Sequence, residues 1–141
     1  MFKYRISVIV PIYNVEKYIE NCLKSLAEQT ISKDELEVLL INDGSPDNSE
    51  EICRRYAEKY PFFKLFSKEN EGLSKTRNFG IEHAQGKYFV FLDPDDELTK
   101  DSLKNLADFF DKYEGMKIAL PERFLPSREM IEYHNAQLVN F

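Results

Sequence analysis

At 141 residues with 43% hydrophobic content, the chain is long enough for one domain with a real core and too short for two comfortable ones. A net charge of −6 argues against a nucleic-acid surface, which needs a clustered basic face, so any phosphate it binds must be met by a metal and a few local cations. No segment reaches the ~20 apolar residues of a membrane span, and the N-terminus lacks a signal-peptide pattern.

The elements follow in chain order. Ile6–Val10 is β-branched apart from Ser7 and predicts a strand ending at Pro11. Asn14 is placed to cap a helix whose apolar face runs Ile19, Cys22, Leu23, Leu26 and Ala27. Leu36–Asn42 predicts a second strand, uninterrupted in its apolar run from Val38 to Ile41, as a sheet covered on both faces demands. The turn Asp43-Gly44-Ser45-Pro46-Asp47-Asn48-Ser49 leads to a helix carrying Ile52, Cys53, Tyr56, Ala57 and Tyr60 on one face. Phe63–Phe66 reads as a short third strand and Gly72–Gln85 as a helix with Gly86 as its C′ residue.

A fourth strand, Tyr88–Leu92, runs into Asp93-Pro94-Asp95-Asp96. Then come a helix from Lys100 to Tyr113, a candidate strand from Lys117 to Leu120, and a tail whose periodicity supports only a modest helix around Met130–Leu138. This gives a domain over residues 1–120 and a C-terminal tail over 121–141. Strands alternating with helices imply right-handed βαβ units, a mainly parallel sheet and a Rossmann-like α/β fold. Cys22 and Cys53 lie far apart on helical patterns with no Cys-x-x-Cys pairing, which predicts reduced structural thiols and a cytoplasmic setting.

The acid cluster is the strongest chemical signal. Three carboxylates within four positions repel one another unless a cation shares them, and oxygen-rich sets suit Mg²⁺ or Mn²⁺, which commonly bridge protein carboxylates to substrate phosphates. Helix capping by Thr99, with a Leu98–Leu103 staple, accounts for one or two acids here but not readily for three at a strand end. An EF-hand loop starting at Asp93 fails, since it needs Gly where Leu98 stands and Glu where Lys104 stands. A phosphatase of the haloacid dehalogenase type wants Thr or Val where this chain has Glu97.

Three strand ends therefore carry polar motifs: Pro11-Ile-Tyr13-Asn14, Asp43 to Ser49, and Asp93 to Asp96. In a parallel sheet these share one edge. A fourth segment, Asn70-Glu71-Gly72-Leu73-Ser74-Lys75-Thr76-Arg77-Asn78-Phe79-Gly80, brings cations toward the same rim. Together the four resemble the family 2 glycosyltransferases of GT-A fold, over residues 5 to about 113 and in the same order.

The resemblance implies a nucleotide-sugar donor, most often a UDP-sugar, a divalent metal (Mn²⁺ or Mg²⁺), and inverting transfer to a glycan or lipid-linked acceptor. It implies that Pro11, Tyr13 and Asn14 form the base-binding turn, with the Tyr13 ring on the uracil face, and that Asp43 accepts the uracil N3 proton. Arg77 and Lys75 would serve the pyrophosphate region. A solvated helical face is the alternative reading for both cations, and the better one for Lys75. Asp95 would reach the ribose and the metal, Asp96 the metal, while Asp93 orders the loop or its Arg77 partner. Gly72 and Gly80 would allow close approach of backbone and helix.

The family's domain is considerably longer than this chain, and its acceptor-side Glu-Asp motif finds no match after Asp96. The chain therefore reads as a donor-binding half, truncated after the metal-binding motif, with the general base unassigned: Glu122, Glu129 and Glu132 are available carboxylates, and surface charge is the alternative reading of each. The other functional class is a noncatalytic nucleotide or nucleotide-sugar binding module. The resemblance also implies a setting in bacterial envelope polysaccharide synthesis. Both readings are compatible with peripheral association at the inner face of the membrane and with self-association of an exposed apolar surface.

Overall fold

The structure, a computed structural model, describes residues 2–112. The candidate strand at Lys117–Leu120, the tail helix, and Glu122, Glu129 and Glu132 lie outside the described residues. Four strands, β1 (Tyr4–Ile12), β2 (Leu36–Asp43), β3 (Phe63–Lys68) and β4 (Gly86–Phe91), alternate with α1 (Ile19–Ala27), α2 (Ser49–Lys59), α3 (Leu73–His83) and α4 (Ser102–Lys112). All pairings are parallel and the order is β3-β2-β1-β4. The chain steps outward from β1 to β3 and then crosses back to β4, so the order reverses between β1 and β4. A crevice opens outside the strands' carboxyl ends at such a reversal.

The period of two along each strand sorts side chains into two cores. Ile6, Val8, Val10, Leu36, Val38 and Leu40 pack against α1, α2 and α4 through Cys22, Leu23, Leu26, Cys53, Leu103 and Phe110. Ile9, Leu39 and Ile41 face the other way, beside Phe66, Phe79, Phe89 and Phe91. Each fully buried aliphatic contributes roughly 1.5–3 kcal/mol, and burial on both faces explains why β1 and β2 read as nearly continuous apolar runs. A Cβ at Gly80 would collide with the Ile9 side chain, so the missing side chain is what lets α3 lie close on β1, as expected. Cys22 and Cys53 are free and buried, and burial pushes the Cys53 thiol up to about 12 and that of Cys22 up as well.

Several boundaries differ from the sequence expectations. β1 continues through Pro11 to Ile12. Ile9 O accepts the Leu92 N–H, so the polar groups of Ile9, and two residues on those of Pro11, face β4. β4 has ended by that level, so the N–H that Pro11 lacks leaves no partner unpaired. Asn14 does not cap α1. It sits at φ 53° in a left-handed turn, which Asn tolerates better than most residues, and Tyr18 occupies the N-cap position. Gly86 is the first residue of β4 rather than a helix terminator, where a Cβ would run into Ser7. α4 begins at Ser102, whose N–H bonds the Thr99 carbonyl.

The two polar residues within the apolar strands explain one another. Ser7 and Glu37 are register partners on β1 and β2, both fully buried. Glu37 accepts hydrogen bonds from Ser7 Oγ at 2.6 Å, Lys64 Nζ at 3.0 Å and the Gln85 N–H at 2.6 Å. A buried carboxylate with three donors is satisfied, and it pins β1, β2, β3 and the turn before β4 at the end of the sheet away from the crevice.

Candidate functional site

The crevice is a cleft of about 550 Å³, within the usual range for small-ligand sites. All four strand ends contribute. Pro11, Ile12, Tyr13, Val15 and Tyr18 follow from β1, Asp43 ends β2, Asn70, Gly72, Leu73 and Thr76 come after β3, and Asp93, Pro94 and Asp95 come after β4. Of the residues expected at a site, the structure gathers Pro11, Tyr13, Asp43 and Asp95 on the lining. Tyr13 is half exposed, with its ring on the cleft.

Asp43 is 4% exposed and already well provided with donors. Oδ1 accepts from Lys68 Nζ at 2.7 Å and the Glu71 N–H at 2.8 Å, while Oδ2 accepts from the Gly72 N–H at 3.1 Å. Burial pushes this carboxyl up, but the Lys68 bond and the two amides outweigh it and hold Asp43 below the usual carboxylate range. An ionised carboxylate offers about four acceptor positions, and three are filled, so Oδ2 retains capacity for one more donor from the cleft. Gly72 serves this arrangement differently from the expectation. Nothing lies close to where its Cβ would be, and its φ of 97° is what glycine supplies, aiming its N–H at Asp43.

At the opposite wall, carboxylate oxygens of Asp93, Asp95 and Asp96 lie within 4.8 Å of one another. The turn that brings them together closes through the Asp96 N–H to the Asp93 carbonyl at 3.0 Å, with Pro94 between. Three anionic oxygens converging at the surface form a donor set that fits a hard divalent cation such as Mg²⁺ or Mn²⁺. Asp93 thus joins the two acids expected to hold metal. It also meets Arg77, whose Nη2 stands 3.7 Å from Asp93 Oδ1 and whose guanidinium lies over the Phe91 ring. Arg77 Nε is buried and has no protein acceptor.

Other expected residues, Arg77 and Asp96 among them, lie off the lining. Asn14 contributes its backbone turn rather than a side chain facing the cleft. Lys75 is 70% exposed, pairs with Glu71 at 3.7 Å, and lies with Lys68, Asn78, Phe79 and Glu82 around a separate shallow groove. The position four residues after Glu71 on a helix gives it that partner, and the solvated-face reading describes it. Tyr18, Leu73 and Thr76 were not singled out from the sequence. Tyr18 and Leu73 are more than half exposed and line the cleft, so exposed apolar surface concentrates there. The only sequence signal for them was position, just before α1 and at the start of α3.

A doubly wound parallel sheet with a largely apolar, acid-rimmed cleft at its reversal defines the class of α/β domain that binds ligands at the carboxyl ends of its strands. The family model of glycosyl transferase family 2 matches residues 7–139, and the chain belongs to that family. It is 42% identical over 130 residues to the minor teichoic acid biosynthesis protein GgaB of Bacillus subtilis, an alignment that covers 90% of this chain and 14% of that protein. Among solved structures it is similar to TarS 1-349 of Staphylococcus aureus in complex with UDP-GlcNAc, at 34% identity and a TM-score of 0.73, over 87% of this chain and 38% of the other. It is also similar to a mannosyltransferase from Pyrobaculum calidifontis in complex with GDP-Man and Mn²⁺, at 32% identity and a TM-score of 0.71, over 78% and 33%. The fold is accordingly the GT-A type of α/β domain. The chain spans less than a third of the length of GgaB and of the next two curated relatives. Among the described residues no helix is long and apolar enough to cross a membrane.

Proposed function

We propose that this chain binds the donor of a glycosyl transfer, a nucleoside diphosphate sugar with UDP as the preferred nucleotide, together with Mn²⁺ or Mg²⁺, for inverting transfer to a glycan or lipid-linked acceptor. The observation that carries the reading is the pairing, across one cleft, of a buried carboxylate with one acceptor position to spare and a converging set of three acids. A base edge carrying an N–H next to a carbonyl suits Asp43, and the Tyr13 ring offers a face for stacking. The diphosphate would then extend toward Asp93, Asp95 and Asp96, where a cation would meet its charge, with Arg77 behind Asp93.

In such a transfer the leaving diphosphate gains negative charge as the sugar gains positive charge. Asp95 and Asp96, with Asp93 beside them, would hold a divalent ion, which would supply electrostatic stabilisation of that departing charge. The chain's own part is to fix the base with Tyr13 and Asp43, to hold Arg77 by the Asp93 ion pair and the Phe91 ring, and to keep the acids together through the Pro94 turn. The acceptor hydroxyl needs a general base within hydrogen-bond reach, and among the described residues the cleft wall opposite the acids carries no carboxylate other than Asp43, whose oxygens are already engaged. The reading therefore includes donor binding with slow hydrolysis, and efficient transfer only when further residues complete the acceptor side.

Calorimetric titration with UDP in Mn²⁺, in Mg²⁺ and in chelator tests donor binding. Tighter binding with metal is expected, and equal affinity in all three would sink the metal role. Incubation with a panel of UDP-sugars and acceptors, read by mass spectrometry, tests turnover. Robust multiple-turnover transfer would place a base in the segment after Lys112, with Glu122, Glu129 and Glu132 the first to replace. The second reading, a noncatalytic nucleotide-sugar binding module, would give binding without either hydrolysis or transfer.

A further inference from the structure

The second half of the motif after β2 does not face the cleft at all. Its side chains are spent on the backbone of the neighbouring loop. The Asn14 N–H donates to Ser45 Oγ at 3.2 Å, the Val15 N–H to Ser49 Oγ at 3.0 Å, and the Glu16 N–H to Asp47 Oδ2 at 3.1 Å. Three consecutive amides at the exit of β1 are thus each taken by a different side chain of one short segment. Ser45 Oγ also reaches the Ile12 carbonyl at 3.5 Å. The two peptide groups that bracket Tyr13 therefore meet one and the same hydroxyl. Ser45 is itself held by its own N–H on Asn42 Oδ1 at 3.1 Å, and Asp47 by accepting the Ser49 N–H on Oδ1 at 3.0 Å.

Successive backbone N–H groups around a left-handed residue form a concavity suited to an anion, and Asn14 at φ 53° starts such a run here. In this chain the protein's own Ser45 and Ser49 hydroxyls and Asp47 carboxylate take these N–H groups. These three amides are consequently not free for a phosphate, and the exposed asset of the turn is the Tyr13 ring. We infer that Ser45 and Asp47 are positioning residues for nucleotide recognition, which fix the loop that carries Tyr13 and so set where its ring stands on the cleft. The same segment begins with Asp43, which ties the Glu71–Gly72 backbone on the other side, so one motif after β2 sets the geometry of the two loops flanking it.

This inference rests on the donor-binding reading, and its experiment has one arm that needs no nucleotide. Uridine affinity is measured by calorimetry for the parent chain, Ser45→Ala, Ser45→Thr, Tyr13→Ala and the Ser45→Ala/Tyr13→Ala double variant. Loss of the bracketing hydroxyl should weaken uridine about tenfold, the equivalent of one hydrogen bond. Threonine, which keeps the hydroxyl, should restore most of it. In the Tyr13→Ala background Ser45→Ala should cost nothing further, because its effect passes through that ring. Effects that multiply in the double variant would overturn the inference, as would a Ser45→Ala chain that binds uridine like the parent.

Amide hydrogen exchange at Asn14, Val15 and Glu16, followed by NMR without ligand, is the second arm. The parent should protect all three, Ser45→Ala should release Asn14, and Asp47→Asn, which keeps a single acceptor oxygen for two donors, should release Glu16 or Ser49. Unchanged exchange in both variants overturns the clamp whether or not nucleotide binds. Absence of uridine binding by the parent, with the exchange pattern as expected, overturns the donor reading alone. If Ser45→Ala does not fold, the comparison of Asp47→Asn with the parent in both arms decides the matter.

Discussion

The two walls of the cleft are built on opposite terms. On the β1–β2 side, Asp43, Ser45, Asp47 and Ser49 fasten neighbouring loops through side chain to backbone hydrogen bonds, and Asp43 and Ser49 are buried. On the β4 side, Asp93 and Asp95 are exposed, and the ion pair of Asp93 with Arg77 spans 3.7 Å. Side-chain bonds to a loop's backbone fix its direction, whereas an exposed ion pair at that distance is worth ~0–1 kcal/mol. The first wall is set before any ligand arrives. The second gathers like charges whose mutual repulsion is relieved when a cation enters. A rigid wall suits recognition of a flat base edge, and a charged, adaptable one suits a metal and a diphosphate.

The largest test of this contrast crosses the two walls. Asp43→Ala removes an ion pair and two amide anchors, so it should weaken both uridine and UDP about 100-fold, in keeping with ~2–3 kcal/mol for a charged group's hydrogen bonds. Asp96→Ala should leave uridine unchanged and cost UDP about tenfold in Mn²⁺ while leaving its affinity in chelator alone. Titrations in which both variants lose only the metal dependence would erase the distinction between the walls.

Acid should act on the rigid wall. Burial pushes Asp43 and Asp47 up, but hydrogen bonds from Lys68, Glu71 and Gly72 to the first, and from Ser49 and Glu16 to the second, hold both below the usual range. A carboxyl lowered by folding contributes stability that is complete above its unfolded value near ~4 and is lost as pH falls through the folded value. Urea unfolding should therefore give constant stability for these groups from neutral pH down to about 5 and a decline below about 4. Asp47→Asn should be less stable than the parent at neutral pH, with the gap closing in acid. Parallel curves at every pH would show that these bonds are not linked to folding.

The smallest expected effect sharpens the boundary of the site. Lys75 lies outside the cleft with Glu71 as its partner, so Lys75→Ala should change stability and UDP affinity by no more than ~0.5 kcal/mol. A tenfold loss of UDP affinity would bring Lys75 back to the diphosphate as the sequence resemblance implied.

Much of this protein was readable from local pattern. Uninterrupted aliphatic runs at Ile6–Val10 and Val38–Ile41 specify strands buried on both faces, and the spacing of Ile19, Cys22, Leu23 and Leu26 specifies a helix, because period and burial are properties of neighbouring residues. The motifs at the strand ends were legible for the same reason. With every strand parallel, their carboxyl ends must share an edge, which put Tyr13, Asp43 and Asp95 on one cleft. What depends on partners far along the chain had to come from the tertiary structure. Pro11 stays in β1 only because β4 stops short of it, and Asn14 leaves the helix because Ser45, 31 positions on, takes its N–H. Glu37 is tolerated in a core strand because Ser7, Lys64 and Gln85 converge on it. Lys75 lies at another groove, while Tyr18, just before α1, and Leu73, at the start of α3, come to the cleft. A sequence states which groups want partners, and only the packing of the helices on the sheet decides which partners come within the 3 Å or so at which a hydrogen bond forms.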